Sequence, residues 1–143
     1  MLYTYAYPRP SVTVDIIVTK KENNSEFILL IERKNEPFKN QWALPGGFID
    51  INEEIKTAAY RELKEETSIS EIKLQQLHTF GKPGRDPRGR TISVIYIGEL
   101  SNLDQKVEAR DDAKKLNWFN IKDVPDMAFD HKDIILYYLN NKA

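Results

Sequence analysis

Glu62, Glu65 and Glu66 fall within about one helical turn of each other, in the run YRELKEETSI, and Gly46-Gly47 precedes them. On a helical wheel Ile55, Ala58, Ala59 and Leu63 share one sector, as an apolar stripe should. Glu62 and Glu66 share that sector, Glu65 lies on its edge, and Lys56, Tyr60 and Lys64 point away. An ionised carboxylate on a half-buried side is costly unless it is paired or bound to a metal. Two readings follow. One is a solvated charged face with pairs such as Arg61–Glu65, each worth a few tenths of a kcal/mol. The other is a cation held among acids that would otherwise repel one another. Hard oxygen donors without thiolates suit Mg²⁺ or Mn²⁺. The glycines fit the second reading, because a residue without a Cβ lets the backbone come close to a ligand.

Gly47, Glu53, Arg61, Glu62, Leu63, Glu65, Glu66 and Ile69 stand at spacings that resemble the Nudix box, G-x5-E-x7-R-E-U-x-E-E-x-G-U, where U is aliphatic. Eight of its nine specified positions match over 23 residues. Ser68 stands where the family has glycine, which bears on the turn after the helix and on no carboxylate. The resemblance implies an α/β (α+β) fold, a mixed β-sheet in an α/β/α sandwich that carries the box helix. It implies hydrolysis of a nucleoside diphosphate linked to another group. It also implies roles: the Gly47 carbonyl, Glu62, Glu65 and Glu66 hold one to three divalent ions, while Glu53 anchors Arg61 and Arg61 orients the glutamates. Many members take a further acid from a later loop, for which Asp111 and Asp112 are candidates; Asp112 joins the expected metal set.

The stretches SVTVDIIV, FGKPGRDPRGRTISVIY and AFDHKDII are similar to the ADP-ribose pyrophosphatase branch. They also resemble the Nudix domain of NAD-responsive transcription regulators. With the box, the likeness spans most of residues 8–140. It implies cleavage of ADP-ribose to AMP and ribose 5-phosphate, and a homodimer. Two alternatives stay open: a sensor that binds ADP-ribose without cleaving it, and a house-cleaning pyrophosphohydrolase of nucleoside triphosphates. The chain shows no basic recognition helix before Ala143 and keeps its glutamates, which favours turnover over sensing.

Net charge is −1, so composition gives no footprint for nucleic acid or for a membrane surface. No apolar run approaches the ~20 residues of a membrane span, and the N-terminus has no signal-peptide pattern. No cysteine is present, which excludes disulfides, thiolate metal sites and a cysteine nucleophile and fits a cytoplasmic protein. The 143 residues predict one domain, 1–143, with residues 1–10 a possible arm. Tyr3, Tyr5 and Tyr7 make that arm either loose or a segment seated on a partner subunit.

The elements that must position the acids follow. Residues 11–19 and 26–33 predict a strand hairpin around a polar turn at 20–25. Asp15, inside the first strand, reads as a structural acid. Residues 34–41 form a loop in which Phe38 is either a packing anchor or a base-stacking ring, and Arg33 either a surface residue or a phosphate contact. A helix is predicted from about Glu53 to Thr67, then strands over 70–80 and 91–100. Between them lies the loop GKPGRDPRGR, whose Lys82, Arg85, Arg88 and Arg90 suit either solvent or a pyrophosphate; Arg85 and Arg90 are its substrate-binding candidates. His78 reads as a surface or core residue. A short strand at 116–120, a turn of helix at 121–125 and a closing helix over 129–141 complete the chain. Asp130 is the predicted cap of that helix, and His131 a structural residue.

Overall fold

The computed structural model describes residues 2–110 and 113–142. β-branched residues dominate its first strand, β1 (Ser11–Glu22), which is the axis of the sheet. From Ser11 to Thr19 it pairs in parallel with β6 (Thr91–Glu99). It meets β2 (Ser25–Arg33) antiparallel only at its far end, from Thr19 to Glu22. Asn23 and Asn24 close that hairpin with φ of 51° and 65°, the left-handed pair a tight two-residue turn requires. Two asparagines suffice for the turn, so β1 runs on to Glu22 instead of ending at Thr19.

Towards its other end β1 parts from β2, and the chain from Trp42 to Phe48 fills the wedge. There β3 (Trp42–Ala43) pairs with β2, and β4 (Gly46–Phe48) pairs with β1. The Ile16 amide donates to the Pro45 carbonyl at 2.9 Å and closes the seam. A Cβ on Gly46 would collide with the Val14 carbonyl and the Asp15 carboxyl, so only glycine lets β4 lie this close. β5 (Gln75–Phe80) pairs with β6 at one edge, and β7 (Ala113–Asn120) pairs with β2. The result is one mixed sheet of seven strands among the described residues.

Side chains alternate across this sheet and feed two cores. Val14, Ile16, Val18 and Leu29 meet Ala58, Ala59 and Leu63 of α1 (Ile55–Thr67). Ile17, Ile28 and Leu30 meet Ile134, Ile135 and Tyr138 of α2 (His131–Asn141) on the opposite face. Helix, sheet and helix stack as the resemblance implies. Neither helix is long and apolar enough to cross a membrane.

Several boundaries differ for identifiable reasons. Tyr60 does not point away from the core: its hydroxyl accepts the Leu74 amide at 2.9 Å and its ring packs on the α1 core. That contact holds residues 70–74 off the sheet, and β5 begins only at Gln75. β7 starts at Ala113 rather than Leu116, because Ala113 and Lys115 still find partners in Arg33 and Glu32. Residues 121–125 form turns and no helix. Ser68 adopts φ 68°, ψ 2° and its amide donates to the Lys64 carbonyl at 2.9 Å. The left-handed turn that usually takes glycine is thus made by serine.

Candidate active site

Helix α1 carries its acids to the wedge. Glu66 is buried, and its Oε1 accepts the Gly46 amide at 2.7 Å, tying helix to β4. Glu62 lies against Gly47 so tightly that a Cβ there would stand 2.6 Å from its carboxylate. Burial outweighs the Arg61 guanidinium nearby and raises the Glu62 carboxyl above its ordinary range. Arg61 is the hub of the group. Its Nε and Nη2 donate to Glu53 at 2.7 and 2.9 Å, its Nη1 to Glu62 at 2.9 Å and Glu65 at 3.2 Å, and Nη2 also reaches the Phe48 carbonyl at 3.2 Å. Those hydrogen bonds hold the Glu53 carboxyl below its usual range and the guanidinium above its own. A forked cation grips one acid with two nitrogens and steers two more.

Among the described residues, no three acidic or histidine side chains are gathered to hold an ion as they stand. Arg61 engages Glu62 and Glu65 instead. The donor chemistry still fits a divalent ion. Hard oxygens of Glu62 and Glu66 flank a glycine cradle that a Cβ would fill, in a half-buried place. Asp112, the acid expected from the later loop, and Asp111 beside it lie outside the described residues. The loop before them docks on the end of α1, where the Glu108 and Arg110 amides donate to the Thr67 and Glu66 carbonyls at 2.9 and 3.1 Å.

Next to the glutamates opens a cavity of about 400 Å³. Gly46, Gly47, Glu62 and Glu66 form one side of it, and Arg33 and Arg88 stand among its other walls. Phe48 and Phe129 line it too, with the Arg88 guanidinium 4.8 and 5.1 Å from their ring centres. Asp86 fixes Arg88, accepting from its Nε and Nη2 at 3.1 and 2.8 Å. Burial raises the Asp86 carboxyl, but those bonds outweigh it and leave the group below its ordinary range. Thr13, Asp15, Ser93 and His131 complete the wall from the α2 side of the sheet. Burial pushes Asp15 up to about 7, against the pull of Arg85 and Ser93. Burial likewise pushes His131 down to about 3, so its imidazole is neutral.

The expected substrate residues separate into those the cavity includes and those it does not. Arg33 lines it, its Nε donating to the Pro37 carbonyl at 2.7 Å. Phe38 is not in the wall; it supports Phe129 edge-on, ring centres 4.8 Å apart. Arg85 stands in the wall, but as a buried strut rather than a free cation on a loop. Its Nε and Nη2 grip Asp130 at 2.9 and 2.7 Å and its Nη1 donates to Ser93 at 2.7 Å. Asp130 therefore spends its carboxylate on Arg85 and makes no side-chain cap for α2. Arg90 is turned out of the cavity and donates to the Gly81 carbonyl at 2.7 Å. His78 stacks on Tyr137 at 4.3 Å, away from the cavity wall. Sequence reading missed Asp15, His131, Phe48 and Phe129 as wall residues. Asp15 alone gave a signal, as an acid inside a strand of apolar neighbours.

A profile of the NUDIX domain matches residues 9–138. The ADP-ribose pyrophosphatase of Methanocaldococcus jannaschii is 43% identical over 136 residues, 95% of this chain and 77% of that protein. The ADPR responsive transcriptional repressor NtrR of Acinetobacter baylyi is 36% identical over 96% of this chain, which spans 57% of the repressor's length. Among solved structures, the NUDIX domain of Shewanella oneidensis NrtR complexed with ADP ribose superimposes with a TM-score of 0.86 at 31% identity, covering 94% of this chain and 90% of that one. With matching box, fold and profile, the chain belongs to the NUDIX domain family.

Proposed function

We propose that this protein is a metal-dependent pyrophosphohydrolase that splits ADP-ribose with water into AMP and ribose 5-phosphate. The observation that carries the reading is the meeting of two charge types in one cavity. Glu62 and Glu66 stand on one side beside Gly46-Gly47, and Arg33 and Arg88 line the same space. Cations suit a diphosphate, while buried acids suit the ion that accompanies it. The volume lies within the ~300–1,000 Å³ usual for small-molecule sites. The 43% identity to a protein named ADP-ribose pyrophosphatase supports the choice of substrate.

Glu62, Glu65 and Glu66, with the Gly47 carbonyl and Asp112, would hold Mg²⁺ or Mn²⁺. When bound, such an ion neutralises charge on the diphosphate and makes water a better nucleophile. Glu53 fixes Arg61, and Arg61 sets the aim of Glu62 and Glu65. Arg33 and Arg88 grip phosphate oxygens, and Phe38 keeps Phe129 in place from behind. Glu66→Gln is expected to keep the fold, since an amide oxygen can still accept from Gly46. Its turnover should fall by at least ~100-fold, the upper end for residues that merely support a metal site. Normal turnover by that variant would remove Glu66 from the ligand set.

The deciding assay mixes protein, Mg²⁺ and ADP-ribose and identifies products. AMP and ribose 5-phosphate are expected. Tight binding without product would mean a sensor, a reading that the 36% identity to an ADPR responsive repressor keeps in view. Inorganic pyrophosphate released from nucleoside triphosphates, with ADP-ribose left intact, would mean a house-cleaning enzyme. The assembly proposed with this function is a homodimer, with the exposed N-terminal arm as its contact.

A further inference from the structure

Asp15 and His131 face each other across 3.9 Å, Oδ1 to Nε2, in the wall of the cavity. That gap is too wide for a direct hydrogen bond and narrow enough for one oxygen atom to bond both. The tautomer of the imidazole is set from behind. The Leu44 amide donates to Nδ1 at 3.0 Å, so the ring hydrogen sits on Nε2. Both residues are more than nine-tenths buried, at 7% and 4% exposure. Yet Nε2 donates to no atom of the described residues and is not sealed off, for none of their buried side-chain polar atoms lacks a partner. Its N–H therefore opens on the cavity.

The residues around the pair hold it rigidly. Asp15 stands beside Ser93 in the wall, the Ser93 hydroxyl accepts from Arg85, and Arg85 is clamped on Asp130 at the start of α2. Thr13 bonds Ser93 from the neighbouring strand position. Such a framework fixes a donor and an acceptor at one spacing. A group that both accepts and donates matches them: a hydroxyl. A phosphate oxygen only accepts, so it could meet the imidazole N–H but would offer no hydrogen to the Asp15 carboxyl. A metal ion would meet an N–H.

On the reading of the protein as a nucleoside diphosphate sugar hydrolase, we propose that the Asp15–His131 notch takes one ribose hydroxyl of the substrate. The imidazole Nε2–H donates to the hydroxyl oxygen, and the hydroxyl donates to Asp15. The cavity then divides its work. Arg33, Arg88 and the glutamates take the diphosphate, and the notch tests for the sugar. Buried polar groups left unpaired are the strongest way to reject a ligand that lacks a hydroxyl.

The experiment is a cycle of substrate and side chain. Hydrolysis of ADP-ribose is compared with that of analogues lacking one ribose hydroxyl at a time, for the unaltered enzyme, Asp15→Asn and His131→Gln. For the unaltered enzyme, one analogue should lose about 10- to 100-fold in kcat/KM, the worth of a hydrogen bond to a charged group. In both variants that penalty should shrink below about 3-fold, the sign that the partner of that hydroxyl has gone. Thermal unfolding checks that the variants fold, and the analogue series on the unaltered enzyme needs no variant. Equal rates for every analogue overturn the notch. So does a penalty that persists in both variants while all rates fall together, which would mark Asp15 and His131 as acting on the attacking water. If the unaltered enzyme leaves ADP-ribose uncut, the function proposed above falls, and the notch with it.

Discussion

His131 and Asp15 are displaced from their ordinary proton affinities in opposite directions, and the two displacements oppose each other in stability. Asp15 moves from 3.8 to about 7, so between those values the folded state holds a proton that the unfolded chain lacks. Its contribution is largest below pH 4 and declines as pH rises towards 7. His131 moves from 6.5 to about 3, so the unfolded chain holds the extra proton and stability declines as pH falls from 6.5 to 3. Between pH 4 and 6.5 the slopes cancel. In His131→Asn only the Asp15 slope remains. The stability of the unaltered protein relative to this variant should therefore fall by up to ~1.4 kcal/mol per pH unit on acidification below 6.5, which urea titrations at several pH values will read. A parallel response of the two proteins would contradict it. Ser68 gives a second prediction at this scale. A serine in the left-handed region costs about 1 kcal/mol that glycine does not pay. Ser68→Gly should raise the melting temperature by about 2–4 °C, with activity unchanged. The box glutamates were legible because type and spacing are read directly along one helix. Asp15 and His131 were not, because nothing local tells whether a buried acid or imidazole faces a core or a cavity.

Among elements, the wedge of Trp42–Phe48 between β1 and β2 sets the site more than either helix does. It brings Gly46 under Asp15 and Gly47 against Glu62. Gly47→Ala places a methyl in the space of the Glu62 carboxylate. The carboxylate can swing away, so the fold should survive. Metal-dependent turnover should drop by about 10-fold or more, as for other disturbances beside a metal site, with the apparent affinity for Mg²⁺ weakened in parallel. Unchanged Mg²⁺ dependence would show that Glu62 tolerates the shift. Most strand and helix identities followed from composition and hydrophobic period, whereas the layering came from the resemblance to the Nudix family. The wedge did not, because Trp42, Leu44 and Pro45 look like ordinary loop-and-core residues until β1 and β2 are seen to part. The loop Gly81–Arg90 misled for a related reason. Four cations in a Gly- and Pro-rich stretch suggest solvent or ligand, whereas Arg85 is drawn inward by Asp130, a residue too distant in sequence to pair with it on paper.

For the molecule as a whole, the arm carries the two most exposed large hydrophobic side chains among the described residues, Leu2 at 96% and Tyr7 at 79%, while Tyr3 and Tyr5 stack on each other. A second copy of the chain would cover them, as the proposed homodimer requires. Removal of residues 2–8 should then halve the mass seen by light scattering; an unchanged mass would place the dimer contact elsewhere or abolish it. The parallel pairing of β1 with β6 carries a further consequence. It joins Thr13 to Ser93, 80 residues apart, and the cavity wall draws on positions from 13 to 131. Closing so long a loop is entropically slow, and only a fragment that reaches from about position 13 to 131 contains every wall residue. Nucleotide capture can thus begin only when nearly the entire polypeptide has come together. Ligand added to a partly denatured sample should consequently shift global melting as one cooperative unit, rather than protect a single segment from hydrogen exchange.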